Sequence, residues 1–200
     1  MPLEAAVAEN VVEVCDLDRL AAIQDPSTGV VRWRRRLDDP LLAEAAALLE
    51  ETELDLHSLG PVAALPSQLA ALLPGQPGLR ADLQALGETY ARLAGGGRFR
   101  LRLRRVEGDA CRRWHVDNVA LRLICTYVGR GTELLTGPEA APARRGGQPA
   151  STRRAFALGA GEVALFRGAQ VGGVVHRSPP IAGTGEARLV LIIDEGLQRA

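Results

Sequence analysis

Arg98-Phe99-Arg100-Leu101-Arg102-Leu103-Arg104 alternates charged and apolar residues without a break. That is the period of a strand with one face buried, and it begins directly after Gly95-Gly96-Gly97. From this point glycine, proline and asparagine separate short apolar runs. Eight strands are expected, over 98–107, 110–117, 119–128, 132–136, 152–158, 162–166, 174–178 and 187–194. A succession of short strands after a different kind of first half predicts a double-sheet jelly roll, the cupin-like barrel also called a double-stranded β-helix. The stretch 137–151, rich in Ala, Pro, Gly and Arg, reads as a long mobile loop within it.

Upstream of the glycines the period changes to that of helices. Asp39-Pro40 supplies a cap followed by a proline, and Leu41, Leu42, Ala45, Leu48 and Leu49 continue an amphipathic helix to about Leu56, with His57 at its frayed end. Further helices are expected over 67–73 and 79–93, the latter placing Leu79, Leu83, Leu86, Tyr90 and Leu93 on one face. Residues 1–30 are weakly patterned and 30–37 is a possible strand. The fold class is therefore α+β: a helical segment, 1–97, packed on a barrel, 98–200, as one unit.

Composition narrows the function. With 46% hydrophobic and 24% charged residues the chain is an ordinary globular one. The 24 bases, all arginine, balance 24 acids, so there is no net field to attract nucleic acid or an anionic membrane. Only 4% of residues are aromatic, too few for a base-stacking platform, and the arginines of 98–105 read as a solvated strand face. Cys15, Cys111 and Cys125 are an odd, sparse set and not a disulfide framework, and the N-terminus lacks the features of a signal peptide. A soluble protein of the reducing cytoplasm is expected. Cys111 and Cys125 are expected as small buried residues, and Trp33 and Trp114 as packing aromatics.

The chemistry concentrates in Trp114-His115-Val116-Asp117. In extended backbone His115 and Asp117 share a face, so both can hold one metal ion. His176 follows within His176-Arg177-Ser178-Pro179-Pro180 and completes a set of two histidines and a carboxylate, the facial triad of non-haem Fe(II) oxygenases. Twelve residues later Arg188 opens the run Leu189-Val190-Leu191-Ile192-Ile193. If Arg188 shares the inward face of Val190 and Ile192, burying its guanidinium requires an anionic partner. The alternative puts Arg188 at the strand mouth, solvated or paired with Glu186 or Asp194.

His115-Val116-Asp117, His176 and Arg188 together resemble the signature of Fe(II)/2-oxoglutarate-dependent oxygenases. Thr126-Tyr127-Val128 followed by Gly131-Thr132-Glu133-Leu134 resembles the prolyl-hydroxylase branch, as does the strand entry from Gly161 to Phe166. The run from Trp114-His115-Val116-Asp117-Asn118 through Gly131-Thr132-Glu133 to His176-Arg177-Ser178-Pro179-Pro180 is similar, more closely, to a bacterial family of unknown function, domain of unknown function 1826. The oxygenase resemblance implies Fe(II) at His115, Asp117 and His176, and 2-oxoglutarate with its far carboxylate on Arg188. Arg122, Thr126 and Tyr127 are candidates for further 2-oxoglutarate contacts, because the register that decides which of them face inward is open. Asn118 is a candidate for orienting Asp117.

The substrate, a small molecule or a protein, is not written in these residues. A second reading uses the same ligands. His2Asp with an open fourth position suits zinc, so a non-catalytic zinc-handling or sensing protein is the alternative, and the family resemblance implies zinc-homeostasis genes nearby.

Overall fold

The computed structural model describes residues 10–109 and 111–195. Its strands are β1 (Asn10–Val14), β2 (Thr28–Trp33), β3 (Asp55–Pro61), β4 (Arg98–Val106), β5 (Leu121–Val128), β6 (Glu133–Leu135), β7 (Ala155–Ala157), β8 (Val163–Arg167), β9 (Val175–Arg177) and β10 (Arg188–Glu195). Its α-helices are α1 (Asp39–Leu49), α2 (Leu65–Leu72), α3 (Pro77–Leu93) and α4 (Ala141–Arg144). Seven strands form one sheet in the order β1-β2-β8-β5-β10-β4-β3, antiparallel except for the β1–β2 pair, and β7-β6-β9 form a second. The fold is mixed α+β.

Local chemistry explains the helices. Asp38 caps α1 by accepting from the Leu41 N–H at 2.9 Å. Glu44, on α1, accepts from Gly78 and Leu79 N–H at 3.1 and 2.7 Å and so satisfies the first turn of α3. Gly87 lets α2 press on α3, since a Cβ there would stand 2.5 Å from Leu65 Cδ2. Leu79, Leu83, Leu86 and Tyr90 form the buried face of α3.

Two cores follow from strand alternation. On one face of the large sheet, Leu101, Leu103, Leu123, Cys125, Tyr127, Leu191 and Ile193 pack with the buried leucines of α2 and α3. On the other face, Val30, Ile124, Ala164, Phe166 and Val190 pack with Leu134 of β6, so the small sheet covers this side. Each fully buried leucine or isoleucine is worth about 1.5–3 kcal/mol. Arg122 and Thr126 share the face of Ile124, and Arg188 and Asp194 share that of Val190.

Several expectations need correction. The first half holds three strands besides its helices, and residues 55–61 form β3 rather than a helix end, with His57 half-exposed on it. Its buried residues are Ser58 and Gly60 while Leu59 is exposed, so hydropathy alternates in the wrong sense to be read. Residues 111–117 are not a strand: the only pairing there is a bridge between His115 and His176. Gln148 instead takes the backbone of Trp114, accepting from its N–H at 3.1 Å and donating to its carbonyl at 2.9 Å. Ala110, the first residue of that expected strand, lies outside the described residues, as do 1–9 and 196–200.

Residues 137–151 are not one open loop, because Pro138–Ala140 and α4 bury Ala140 and Ala143 against Trp114 and Val175. Cys111 is exposed, whereas Cys125 is buried. Among the described residues no helix is long and apolar enough to cross a membrane.

Candidate metal centre

His115, Asp117 and His176 converge where the two sheets meet. Their possible ligand atoms lie within 4.8 Å of one another. Asp117 is central, with Oδ2 2.8 Å from His176 Nε2 and Oδ1 3.5 Å from His115 Nε2. The backbone bridge between the two histidines, with N···O distances of 3.1 and 3.0 Å, holds their rings 4.5 Å apart. Phe166 packs on the His176 ring with centroids 4.8 Å apart. The site opens toward solvent at His115, whose side chain is 32% exposed against 6% for His176. A cleft of about 350 Å³ lined by Asp109, Cys111, Arg112 and Arg113 adjoins it there.

Each imidazole is anchored through its other nitrogen. His115 Nδ1 lies 2.8 Å from the Arg113 carbonyl and His176 Nδ1 3.0 Å from that of Val174. A proton donated to each carbonyl leaves both Nε2 atoms to serve a metal, the arrangement that metal-binding histidines show. Gly168 seats the Asp117 loop: Ala169 N–H donates to the Asp117 carbonyl at 2.8 Å, and a Cβ on Gly168 would stand 2.0 Å from the Val119 carbonyl oxygen. Burial would raise the Asp117 carboxyl, but hydrogen bonds from His115 and His176 and the charge of Arg122 outweigh it and hold it well below the carboxylate range. The hydrogen bond to Asp117 in turn raises His115, against its partial burial. An ionised carboxylate between two imidazoles is a ready cation site.

The other sequence candidates divide by strand face. Arg122 Nη1 grips Asp117 Oδ2 directly, and its Nη2 donates to Asp194 at 2.8 Å. It orients the cluster's carboxylate, the role considered for Asn118. Asn118 is exposed on a bend, since the chain turns there toward β5. Thr126 points inward to Arg188.

Tyr127 does not face the site. One residue on from Thr126, it turns into the helix-side core, where its hydroxyl donates to Asp82 at 2.5 Å and Arg35 completes the cluster. Burial, then the Asp82 charge, raises its phenol well above the usual range. Tyr127→Phe is therefore expected to cost about 1–3 kcal/mol of stability by stripping a partner from a partly buried carboxylate. Metal affinity should stay unchanged. Weakened metal binding in a fully folded Tyr127→Phe would reverse this placement.

Arg188 is 1% exposed, at the opposite end of the β10 inner face from Asp194. Its Nη2 donates to the hydroxyls of Thr126 and Thr132 at 3.2 and 3.3 Å, and its buried Nε has no acceptor among the described residues. Neither Glu186 nor Asp194 pairs with it: Asp194 is taken by Arg100, Arg102 and Arg122, and the nearby Glu133 by Arg177 at 2.6 Å. Burial first, and Arg130 second, lower its pKa to about 10. In the sequence Thr132 figured only within the Gly131-Thr132-Glu133 motif and Asp194 only as a possible partner of Arg188; Asp194 lies on the β10 face of Arg188, the signal that could have placed it inside.

A comparison with curated proteins finds no match. Among solved structures, the chain is similar to a dioxygenase for auxin oxidation from Arabidopsis thaliana bound to 2-oxoglutarate, at 12% identity over 96% of this chain and 94% of that one, with a TM-score of 0.49. It is similar to a Pseudomonas putida prolyl-4-hydroxylase at 15% identity, covering 96% and 99%, with a TM-score of 0.49. A bsmA homolog from Methylobium petroleophilum shows 17% identity, covering 93% and 96%, with a TM-score of 0.48. Likenesses this distant assign no activity. The sequence itself is more specific: the family model described as "Protein of unknown function (DUF1826)" matches residues 15–194, and the chain belongs to that family.

Proposed function

We propose that this chain is an Fe(II)/2-oxoglutarate-dependent oxygenase that hydroxylates a substrate within a double-stranded β-helix, the jelly-roll barrel of cupin type. The observation that carries the reading is Arg188: a buried guanidinium with an orphaned Nε, reached among the described residues only by two hydroxyls, in a chain that also gathers two histidines and a carboxylate. Such a charge is stabilised by an anion that enters with the co-substrate. The planar fork of arginine suits a carboxylate.

In this reading His115, Asp117 and His176 hold the iron, and Arg188 holds the far carboxylate of 2-oxoglutarate. Together the metal and keto acid, when bound, supply oxidation of a C–H bond by dioxygen. The chain's own residues position them. Thr126 and Thr132 fix the Arg188 guanidinium, Arg122 fixes Asp117, and the Arg113 and Val174 carbonyls fix the rings. Ile124, Leu134, Phe166 and Val190 line the space between the sheets with apolar surface that excludes water. The three cysteines are unpaired, in keeping with a reducing cytoplasm. A zinc-handling protein could use the same three ligands but has no use for a buried arginine without an acid.

Anaerobic titration of the metal-free protein with Fe(II) and then 2-oxoglutarate tests the reading. A weak visible charge-transfer band of the chelated keto acid is expected. Metal binding with no band and no keto-acid affinity would overturn the oxygenase in favour of metal handling.

A further inference from the structure

The arginine stripe of β4, read from sequence as a solvated face, is partly something else. Asp194 is wholly buried, and three guanidiniums converge on it. Arg100 reaches Oδ1 through Nε at 3.0 Å and Oδ2 through Nη2 at 3.3 Å, while Arg102 and Arg122 share Oδ2 at 3.0 and 2.8 Å. Arg122 also holds Asp117. Three cations thus face two carboxylates, and a divalent metal at Asp117 widens the excess.

The buried Nε atoms of Arg102 and Arg122 have no acceptor among the described residues. Burial draws Arg102 below the usual arginine range; Asp194 opposes this, and Arg100 and Arg122 add to it. Arg104 stands apart from Asp194: its Nε, likewise without a hydrogen bond among the described residues, lies at ion-pair distance, 3.1 Å, from Asp55, which His57 also contacts at 2.7 Å.

This cationic shelf is accessible. Arg100 and Arg102 keep 28% and 17% of their side chains exposed, and the residue paired with Arg100 on β3 is Leu59, an exposed apolar side chain. Arg102 and Arg122 donate to the same Asp194 oxygen, at 3.0 and 2.8 Å, so the shelf adjoins the arginine that holds Asp117. One small molecule can reach from the shelf to the metal ligands.

We propose that Arg100 and Arg102 bind a carboxylate or phosphate group of the substrate, with adjoining hydrocarbon on Leu59, so that the substrate is an organic anion reaching from the shelf to the metal. This rests on the oxygenase reading above. A purely structural role for the trio would require only neutralisation of Asp194, which a single bidentate arginine already achieves. The remaining donors suit an arriving anion.

The test uses protein loaded with Mn(II) and 2-oxoglutarate, in which the paramagnetic ion shortens the nuclear relaxation of anions held nearby. Inorganic phosphate and acetate are titrated separately, reading phosphorus and carboxyl-carbon relaxation; the arm that responds says which group the shelf prefers. Arg100→Gln and Arg102→Gln are each expected to weaken the anion about tenfold or more, as loss of a charged hydrogen bond does. Arg36→Gln, an exposed arginine elsewhere, should change nothing. Asp194 keeps two arginines in either shelf variant, and unchanged Mn(II) affinity reports an intact fold.

Relaxation enhancement that survives in both shelf variants would place the anion on the metal and overturn the shelf alone. Wild-type protein that fails to bind Mn(II) or 2-oxoglutarate in its own titration would instead overturn the oxygenase reading.

Discussion

On the oxygenase reading proposed above, Arg188→Met is expected to abolish 2-oxoglutarate binding, leave Fe(II) binding intact and make the metal-free protein more stable. The sign of the last effect follows from the isolation of the guanidinium, which among the described residues hydrogen-bonds only to Thr126 and Thr132. Its pKa falls to about 10 in the folded protein, below the ordinary arginine value, so the folded state binds the proton less tightly than the unfolded one. That penalty is fully present at neutral pH. It is relieved only as pH rises through about 10, where the folded state loses the proton first and stability increases. Replacing the charge with an apolar side chain of similar length removes the penalty, and gains of about 1–3 kcal/mol are typical for buried charges so replaced.

On the proposed oxygenase reading, binding shows the opposite effect, because the co-substrate's carboxylate loses its counter-ion. A deficit of about 3 kcal/mol, or roughly 100-fold, is the least expected. Thermal melts of metal-free protein and keto-acid titrations of the iron-loaded form read the two effects independently. An Arg188→Met protein that melts far below wild type would make Arg188 a structural residue, and one that binds 2-oxoglutarate normally would remove it from the co-substrate site.

Much of this site was open to reading in the sequence because its parts are short-range or periodic. His115 and Asp117 need only extended backbone to share a face, and they do so although no strand forms there. Arg188 lies on the face of Val190 and Ile192 by simple alternation. What a single sequence withholds is register between strands. The pairing of β10 with β5 shifts between Leu189 and Val190, so counting along one strand cannot place Thr126 rather than Tyr127 beside Arg188.

Likewise β3 turns Ser58 and Gly60 inward and Leu59 outward, because its buried face meets the polar side chain of Gln68, to which Ser58 bonds. Nor can the β4 arginines be told from a solvated stripe until Asp194, some ninety residues away in sequence, is seen beneath them. The buried polar partners were missed for the same reason: they belong to pairs distant in the chain.

Asp117→Ala should reduce metal affinity by about 100-fold or more. Loss of a residue that merely orients a ligand costs 10–100-fold in metal sites, and Asp117 is the group to which both histidines and Arg122 point. It supplies the only carboxylate among the clustered ligands, so its removal leaves two imidazoles beside the positive charge of Arg122, which then repels a divalent ion. The fold should persist, because Arg122 retains Asp194 and the histidines retain their backbone bridge and carbonyl partners. On the proposed reading, loss of metal should carry keto-acid chelation with it, whereas in Arg188→Met the metal stays and only the keto acid is lost. The two variants together therefore separate the centre from its co-substrate anchor. Calorimetric titration with Fe(II) under anaerobic conditions gives the affinity directly, and an Asp117→Ala protein that binds metal as tightly as wild type would remove this cluster as the metal centre.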